Sequence, residues 1–174
     1  MSVPENRYNK SGSRLASRII GVFTLFIAVI LIHFWQTRDL AEGSAPALSG
    51  YTLQGEWFDM DKQAEWPLLV HFWASWCPVC KIESEGIESL SKDYPVVTVA
   101  MQSGSESDVT NFLKQQQLQI PVINDPEGKL AGAWRVRGVP TSYIIGRDGK
   151  VRFSSVGFTL PLTLRMRLWL AEIW

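Results

Sequence analysis

Two cysteines, three residues apart, stand where a buried-strand pattern gives way to a helical one. Pro67 to Ala74 (PLLVHFWA) is short and apolar, so it reads as a buried strand. Val79 to about Tyr94 carries Ile82, Ile87 and Leu90 near helical spacing, and Pro95 stops it. Cys77 and Cys80, in Trp-Cys-Pro-Val-Cys-Lys, therefore follow a strand directly and open a helix. A thiol placed there meets unpaired N–H groups and the positive end of the helix dipole. Both favour the thiolate, which is the reactive form. The dipole supplies roughly 0.3–2 kcal/mol, or about 0.2–1.5 pKa units at about 1.36 kcal/mol per unit. Thiols in Cys-x-x-Cys pairs reach from about 7 down to about 3.5, against about 8.5 for free cysteine. The lower part of that range needs more than the dipole. The N–H groups of Val79 and Cys80 and the Cys80 thiol are the available sources. Pro78 has no N–H to give, but its fixed φ suits a first helical turn.

Other uses of the pair differ in what they require. Zinc wants about four ligands, and the chain offers two Cys and two His. Haem attachment wants Cys-x-x-Cys-His, and Lys81 holds that place. A structural disulfide would close a tiny loop and remove little entropy from the unfolded chain. A copper-binding or copper-delivery role for the same two thiolates stays open, since soft thiolates select Cu(I). No resident metal is expected.

The formal net charge is zero but unevenly spread. Residues 1–18 carry Arg7, Lys10, Arg14 and Arg18 against Glu5, and residues 36–174 are mildly acidic. An acidic domain lacks the basic face that nucleic acid requires. Between them, Ile19 to Trp35 (IIGVFTLFIAVILIHFW) has no Asp, Glu, Lys or Arg over 17 residues. As a helix it would span roughly 25 Å, the short end of what a bilayer accepts. Trp35, and His33 near it, would sit at the far interface, and the basic leader would stay in the cytoplasm. A cleaved signal peptide is the alternative, but its apolar run is usually 7–15 residues with small residues at the cut. The expected organisation is a cytoplasmic N-terminus over 1–18, a transmembrane anchor over 19–35, a linker over 36–47 and one domain over 48–174.

Along the domain, Tyr51-Thr-Leu53 and Glu56-Trp-Phe58 around Gln54-Gly55 predict a hairpin. Val96–Met101 predicts a second buried strand. Ser105-Glu-Ser-Asp108 predicts a capped helix through Gln117. A short strand over 121–124, a turn over 125–128 and a helical turn over Leu130–Trp134 follow. Thr141–Ile145 and Val151–Val156 read as partners across the turn 146–149. Leu160 to Trp174 fits a strand by alternation and a helix by Leu160, Leu164, Leu168 and Ala171. With Thr159 as cap and Pro161 in the first turn, a helix is expected. This order implies an α/β fold, a mixed central sheet with helices on both faces.

Leu68-Leu-Val-His-Phe-Trp-Ala-Ser-Trp-Cys-Pro-Val-Cys80 resembles the active-site strand and turn of the thioredoxin superfamily. Gly138-Val-Pro-Thr141 resembles its Val-Pro-Thr loop. The apolar N-terminal segment, the early hairpin and the Cys-x-x-Cys-x-x-Glu run from Cys77 to Glu83 resemble the periplasmic branch typified by TlpA, ResA and the cytochrome c maturation thioredoxins. The Cys-Pro-Val-Cys core with His before Phe-Trp is most similar to the suppressor of copper sensitivity D group. The resemblance covers about residues 46–160 and implies a thioredoxin fold. Cys77 would be the nucleophile and Cys80 the resolving thiol. Pro140 would be a cis-proline beside them, with Val139 presenting its backbone to a target. Trp76, Pro78, Val79 and Thr141 would complete the surface a target meets. Glu83, one helical turn after Cys80, would assist proton transfer.

His71 departs from the pattern, because thioredoxins proper place a buried Asp there. It is either a proton relay for Cys80, its ordinary pKa being near neutral, or a satisfied core histidine. The resemblance further implies an inner-membrane protein, single-pass, with its C-terminal domain in the periplasm. It would exchange disulfides with periplasmic protein thiols, with a membrane donor of the DsbD type; the sequence leaves the direction of electron flow open, and a reductase is the preferred reading. The redox-active disulfide would serve in place of any diffusible cofactor.

Overall fold

The computed structural model describes residues 18–28, 40–41 and 43–173. The chain divides into two compact units, Met1–Arg38 and Asp39–Trp174. In the first, residues 18–28 are helical. The remainder of the expected anchor, 29–35, lies outside the described residues, as does the leader through residue 17. Among the described residues no helix is long and apolar enough to cross a membrane.

The second unit begins earlier than its expected start at residue 48. Leu40 and Ala41 are buried in its core. The Val151 N–H donates to the Gly43 carbonyl, and the Ala45 N–H to that of Gly149. The described part of the expected linker is therefore laid along the domain, because Leu40 has apolar area to bury there.

A small hairpin, β1 (Ser49–Tyr51) and β2 (Trp57–Asp59), opens the domain. A five-stranded mixed sheet follows. Its strands are β3 (Leu68–Trp73), β4 (Val96–Met101), β5 (Val122–Asp125), β6 (Thr141–Ile145) and β7 (Val151–Val156). Their order in space is β5-β4-β3-β6-β7, with β3, β4 and β5 parallel and β6 and β7 antiparallel to their neighbours. The helices of the domain are α1 (Pro78–Ser91), α2 (Glu106–Gln116), α3 (Lys129–Ala133) and α4 (Pro161–Glu172).

Side chains alternate across a strand, and β3 is buried along all six residues. Leu68, Val70 and Phe72 pack with Val97, Val99, Tyr143 and Ile145 against Leu48, Met60 and Trp134. On the opposite face Leu69 packs with Ile87, Leu90, Leu164 and Leu168 of α1 and α4. Trp73 there meets Val109 and Leu113 of α2. A strand covered on both faces reads as an unbroken apolar run, as 67–74 does.

Local chemistry sets the helix starts. Ser105 and Asp108 form the reciprocal capping box expected of them. α4 is a helix, as expected, but Thr159 is not its cap. Leu160 takes the N-cap place with no side-chain bond, and Pro161 opens the first turn. Two X-Pro bonds are cis, Trp66–Pro67 and Val139–Pro140. Only the second was expected.

α1 and α4 cross at a glycine. A Cβ on Gly86 would overlap Pro161 Cγ, and a proline ring has no soft torsion to move aside. Gly86→Ala should lower stability by about 1–3 kcal/mol, the usual cost of overpacking, in urea unfolding of the oxidised protein. An unchanged midpoint would contradict so close a crossing.

Candidate active site

Cys77 takes the N-cap place of α1, straight after the loop that leaves β3. Cys77 and Cys80 are joined as a disulfide. Cys77 Sγ accepts the Cys80 N–H at 3.2 Å, in the manner of a capping oxygen. This is one of the two backbone donors expected from sequence. The carbonyl oxygen of Val139 lies 3.6 Å from Cys77 Sγ. The loop before β6 therefore sits beside the sulfur pair, with Pro140 buried beneath it.

The surface around the pair is uneven. Pro78 and Val79 are exposed, and so is Trp76, whose Nε1 donates to the Gln102 carbonyl. Val139 is half-buried. Thr141 does not join this surface. It is fully buried, and its hydroxyl donates to the Gly138 carbonyl at 2.7 Å. It ties the loop from within, because a buried hydroxyl needs a partner. Trp73 is also internal, its Nε1 donating to Thr98 Oγ1.

Beneath α1 a polar row crosses an otherwise apolar sheet face. His71 is paired in register with Thr98 of β4 and Ser142 of β6, and Ser142 with Ser155 of β7. All four are buried. His71 Nδ1 lies 2.9 Å from Ser142 Oγ. A narrow cavity of ≈ 10 Å³, about one water in size, is lined by His71, Cys80, Ser84 and Phe112 among others. At the far end of the row Thr159 Oγ1 donates to Ser155 Oγ at 3.2 Å, and the Thr159 N–H donates to Glu83 Oε1 at 3.3 Å. Ser142, Ser155 and Thr159 carry no motif. Only their register under α1 singles them out.

Glu83 is buried, and its Oε2 finds no hydrogen-bond partner among the described residues. Burial pushes its carboxyl up to about 7, with the Thr159 N–H opposing. Burial pushes His71 the other way, down to about 3. The same cause acts oppositely because it disfavours whichever form is charged. His71 is thus held neutral, as a hydrogen-bonded core histidine, and is a weak proton acceptor. Glu83 is the group matched to neutral pH.

His71 is neutral, and Lys81 Nζ sits 5.6 Å from the centroid of the Phe112 ring. Among the described residues no group of three or more His, Cys, Asp or Glu is placed to hold a metal.

The AhpC/TSA family model matches residues 42–154. A thioredoxin-like protein of Haemophilus influenzae is 31% identical over 161 residues, spanning 91% of this chain and 96% of its own. The thiol-disulfide oxidoreductase ResA of Bacillus cereus is 31% identical over 117 residues, spanning 65% of this chain and 68% of its own. Among solved structures, the exposed lipoprotein thioredoxin of Streptococcus pneumoniae superposes with a TM-score of 0.65 at 26% identity, covering 71% of this chain and 98% of that one.

The buried carboxyl has a pH signature. Unfolded, Glu83 loses its proton near 4.5; folded, it holds it to about 7. Its contribution to stability is therefore complete below about 4.5 and is lost as pH rises through about 7. Glu83→Gln removes that loss. The stability of the variant relative to the parent should rise by about 3 kcal/mol between these pH values and then level off. Denaturant unfolding of the oxidised proteins across pH 4–8 measures it, and a flat difference would contradict the assignment.

Proposed function

The chain belongs to the AhpC/TSA family, with thioredoxin-like relatives of the ResA type, and on that premise we propose that this thiol–disulfide oxidoreductase reduces protein disulfides outside the cytoplasm from a membrane anchor. The observation that carries the reading is the sulfur pair itself. Cys77 caps a helix, accepts the Cys80 N–H, and lies buried beside the Val139 carbonyl, between the exposed Trp76, Pro78 and Val79.

The Cys77 thiolate attacks one sulfur of a target disulfide. That bond breaks, a Cys77–target mixed disulfide forms, and the leaving thiolate takes a proton from solvent. Cys80 then gives its proton to the Glu83 carboxylate and attacks Cys77 Sγ. The second target thiolate departs, and two electrons have passed from the pair to the target. Val139 and Pro140 shape the wall beside the mixed disulfide, with Trp76, Pro78 and Val79 as the rim. A membrane dithiol donor of the DsbD type returns the pair to its reduced form.

The reductive direction is supported by the sparse stabilisation of the thiolate. A pair whose reduced form is strongly stabilised becomes an oxidant. Here the helix N-terminus and one N–H act on Cys77, and His71 brings no charge. The anchor is supported by the charge-free residues 19–35 behind a basic leader. It places residues 36 onward in the periplasm of a bacterial inner membrane. The similar pneumococcal protein is named an exposed lipoprotein thioredoxin.

Insulin reduction tests the chemistry. Cys77→Ala should abolish turnover, and Cys80→Ala should accumulate a mixed disulfide with the target. Full activity of Cys77→Ala would end this reading. A reduced chain that binds Cu(I) tightly and leaves insulin oxidised would replace it with a copper carrier. The potential should lie near thioredoxin's, about −270 mV. A value near DsbA's, about −120 mV, would reverse the direction of electron flow.

A further inference from the structure

The two residues before Cys77 are held from outside their own segment. The Cys77 N–H donates to the Ala74 carbonyl at 3.1 Å, which closes a turn with Ser75 and Trp76 at its centre. Each of these two is tied to the loop that leaves β4. The Ser75 N–H donates to Ser103 Oγ at 3.0 Å, and Trp76 Nε1 donates to the Gln102 carbonyl at 3.0 Å. Cys77 Sγ itself is met by the Cys80 N–H and the Val139 carbonyl, groups outside this brace.

The loop is shaped to offer those two acceptors. Ser103 is buried, and its hydroxyl is used twice, donating to the Met101 carbonyl at 3.0 Å while accepting from Ser75. A hydroxyl so used has its one proton committed and a lone pair aimed at Ser75. Gln102 stands at φ 48, in the left-handed region. A side chain is uncommon there, and such backbone persists where the surroundings impose it, often beside functional sites. The surroundings here are β5 and the start of α3. The Gln102 N–H donates to the Asp125 carbonyl at 2.9 Å, and Gln102 Nε2 lies 3.4 Å from where a Cβ of Gly128 would stand. Glycine would take this backbone at less cost, so what glutamine adds is its seat on Gly128. The far end of the loop is also closed. A Cβ on Gly104 would come within 2.6 Å of Asp108 Oδ2, in the capping box that starts α2. The Gly104 carbonyl accepts from Asn124 Nδ2 at 3.1 Å. The loop is thus pinned to β5, α2 and α3, and it passes that rigidity to the turn before Cys77.

What the brace holds is the exposed rim of the site. Trp76 is 59% exposed. An indole so far into solvent has freedom that a target must freeze on binding, and freezing it beforehand lowers that cost. We propose that Gln102 and Ser103 are positioning residues for protein targets. They pre-set the Ser75–Trp76 turn, and with it the rim against which the polypeptide flanking an attacked disulfide lies. A small disulfide has no such flanks and gains nothing from the rim. The inference rests on disulfide exchange at Cys77 as set out above.

The test compares two oxidants of the pre-reduced full chain in detergent, insulin and the small disulfide dithiobis(nitrobenzoate). Ser103→Ala should slow the reaction with insulin by about 2–10-fold, the share of one hydrogen bond. The rate with the small disulfide and the reduction potential of the pair should stay at the parent's values. The Trp76 indole N–H, identified in the NMR spectrum by its loss in Trp76→Phe, should show a lower heteronuclear NOE in Ser103→Ala than in the parent. Gln102→Gly relaxes the left-handed backbone but removes the seat on Gly128. It should show the same split between the two oxidants, and it decides the matter if Ser103→Ala does not fold. Equal slowing with both oxidants, or slowing with neither, would overturn the brace while leaving disulfide exchange in place. A parent chain that reacts with neither oxidant would remove disulfide exchange itself, and the brace with it.

Discussion

Burial of β3 on both faces fixes where its end lies, and the reactive chemistry begins one short loop later. Leu68, Val70 and Phe72 hold one side of the strand and Leu69 and Trp73 the other. A shift of one residue would exchange the two sets, so the register is strongly specified. Cys77 is thereby set at the first turn of α1 with its sulfur on the Cys80 N–H. Loops at that end of the sheet carry the remaining parts, with Val139 beside the sulfur and Gln102 holding Trp76. Rigid scaffold and exposed rim are thus divided between strand and loop, as is usual for sites of this kind.

The same burial sorts the two titratable groups under α1. His71 and Glu83 both lie out of water, and burial pushes the imidazole towards losing its proton and the carboxyl towards keeping it. That divides the labour. The imidazole serves as a hydrogen-bonded part of the polar row Thr98–His71–Ser142–Ser155, and the carboxyl is left poised near neutral pH. Glu83 has an unpartnered oxygen on its buried side among the described residues. A polar group left so in a core costs stability, and that cost is commonly borne at sites of chemistry.

Most of the frame was legible in the chain because its signals are local. Val96–Met101, Thr141–Ile145 and Val151–Val156 are apolar or alternating runs between turns, and each is a strand with those bounds. Ser105 and Asp108 announced a helix start by their own chemistry. What escaped depends on long-range packing. Leu40 and Ala41 looked like linker because short segments carry no sign of a distant core. Thr159 looked like a cap, yet its N–H serves Glu83, 76 residues away. Thr141 looked like part of the target surface, and burial turned it inward. His71 reads from sequence as either a proton relay or a core histidine, and its direction of titration required the depth of its burial.

The central claim is that the start of α1 makes Cys77 the thiolate of the pair. The measurement that addresses it most directly is the pKa of Cys77 in the reduced protein, from thiolate absorbance or the pH dependence of alkylation. A helix N-terminus and one N–H predict a value below the free-cysteine figure of about 8.5, in the region of about 7. A value at or above about 8.5 would mean that burial outweighs the helix, and the account of Cys77 as the attacking sulfur would fail.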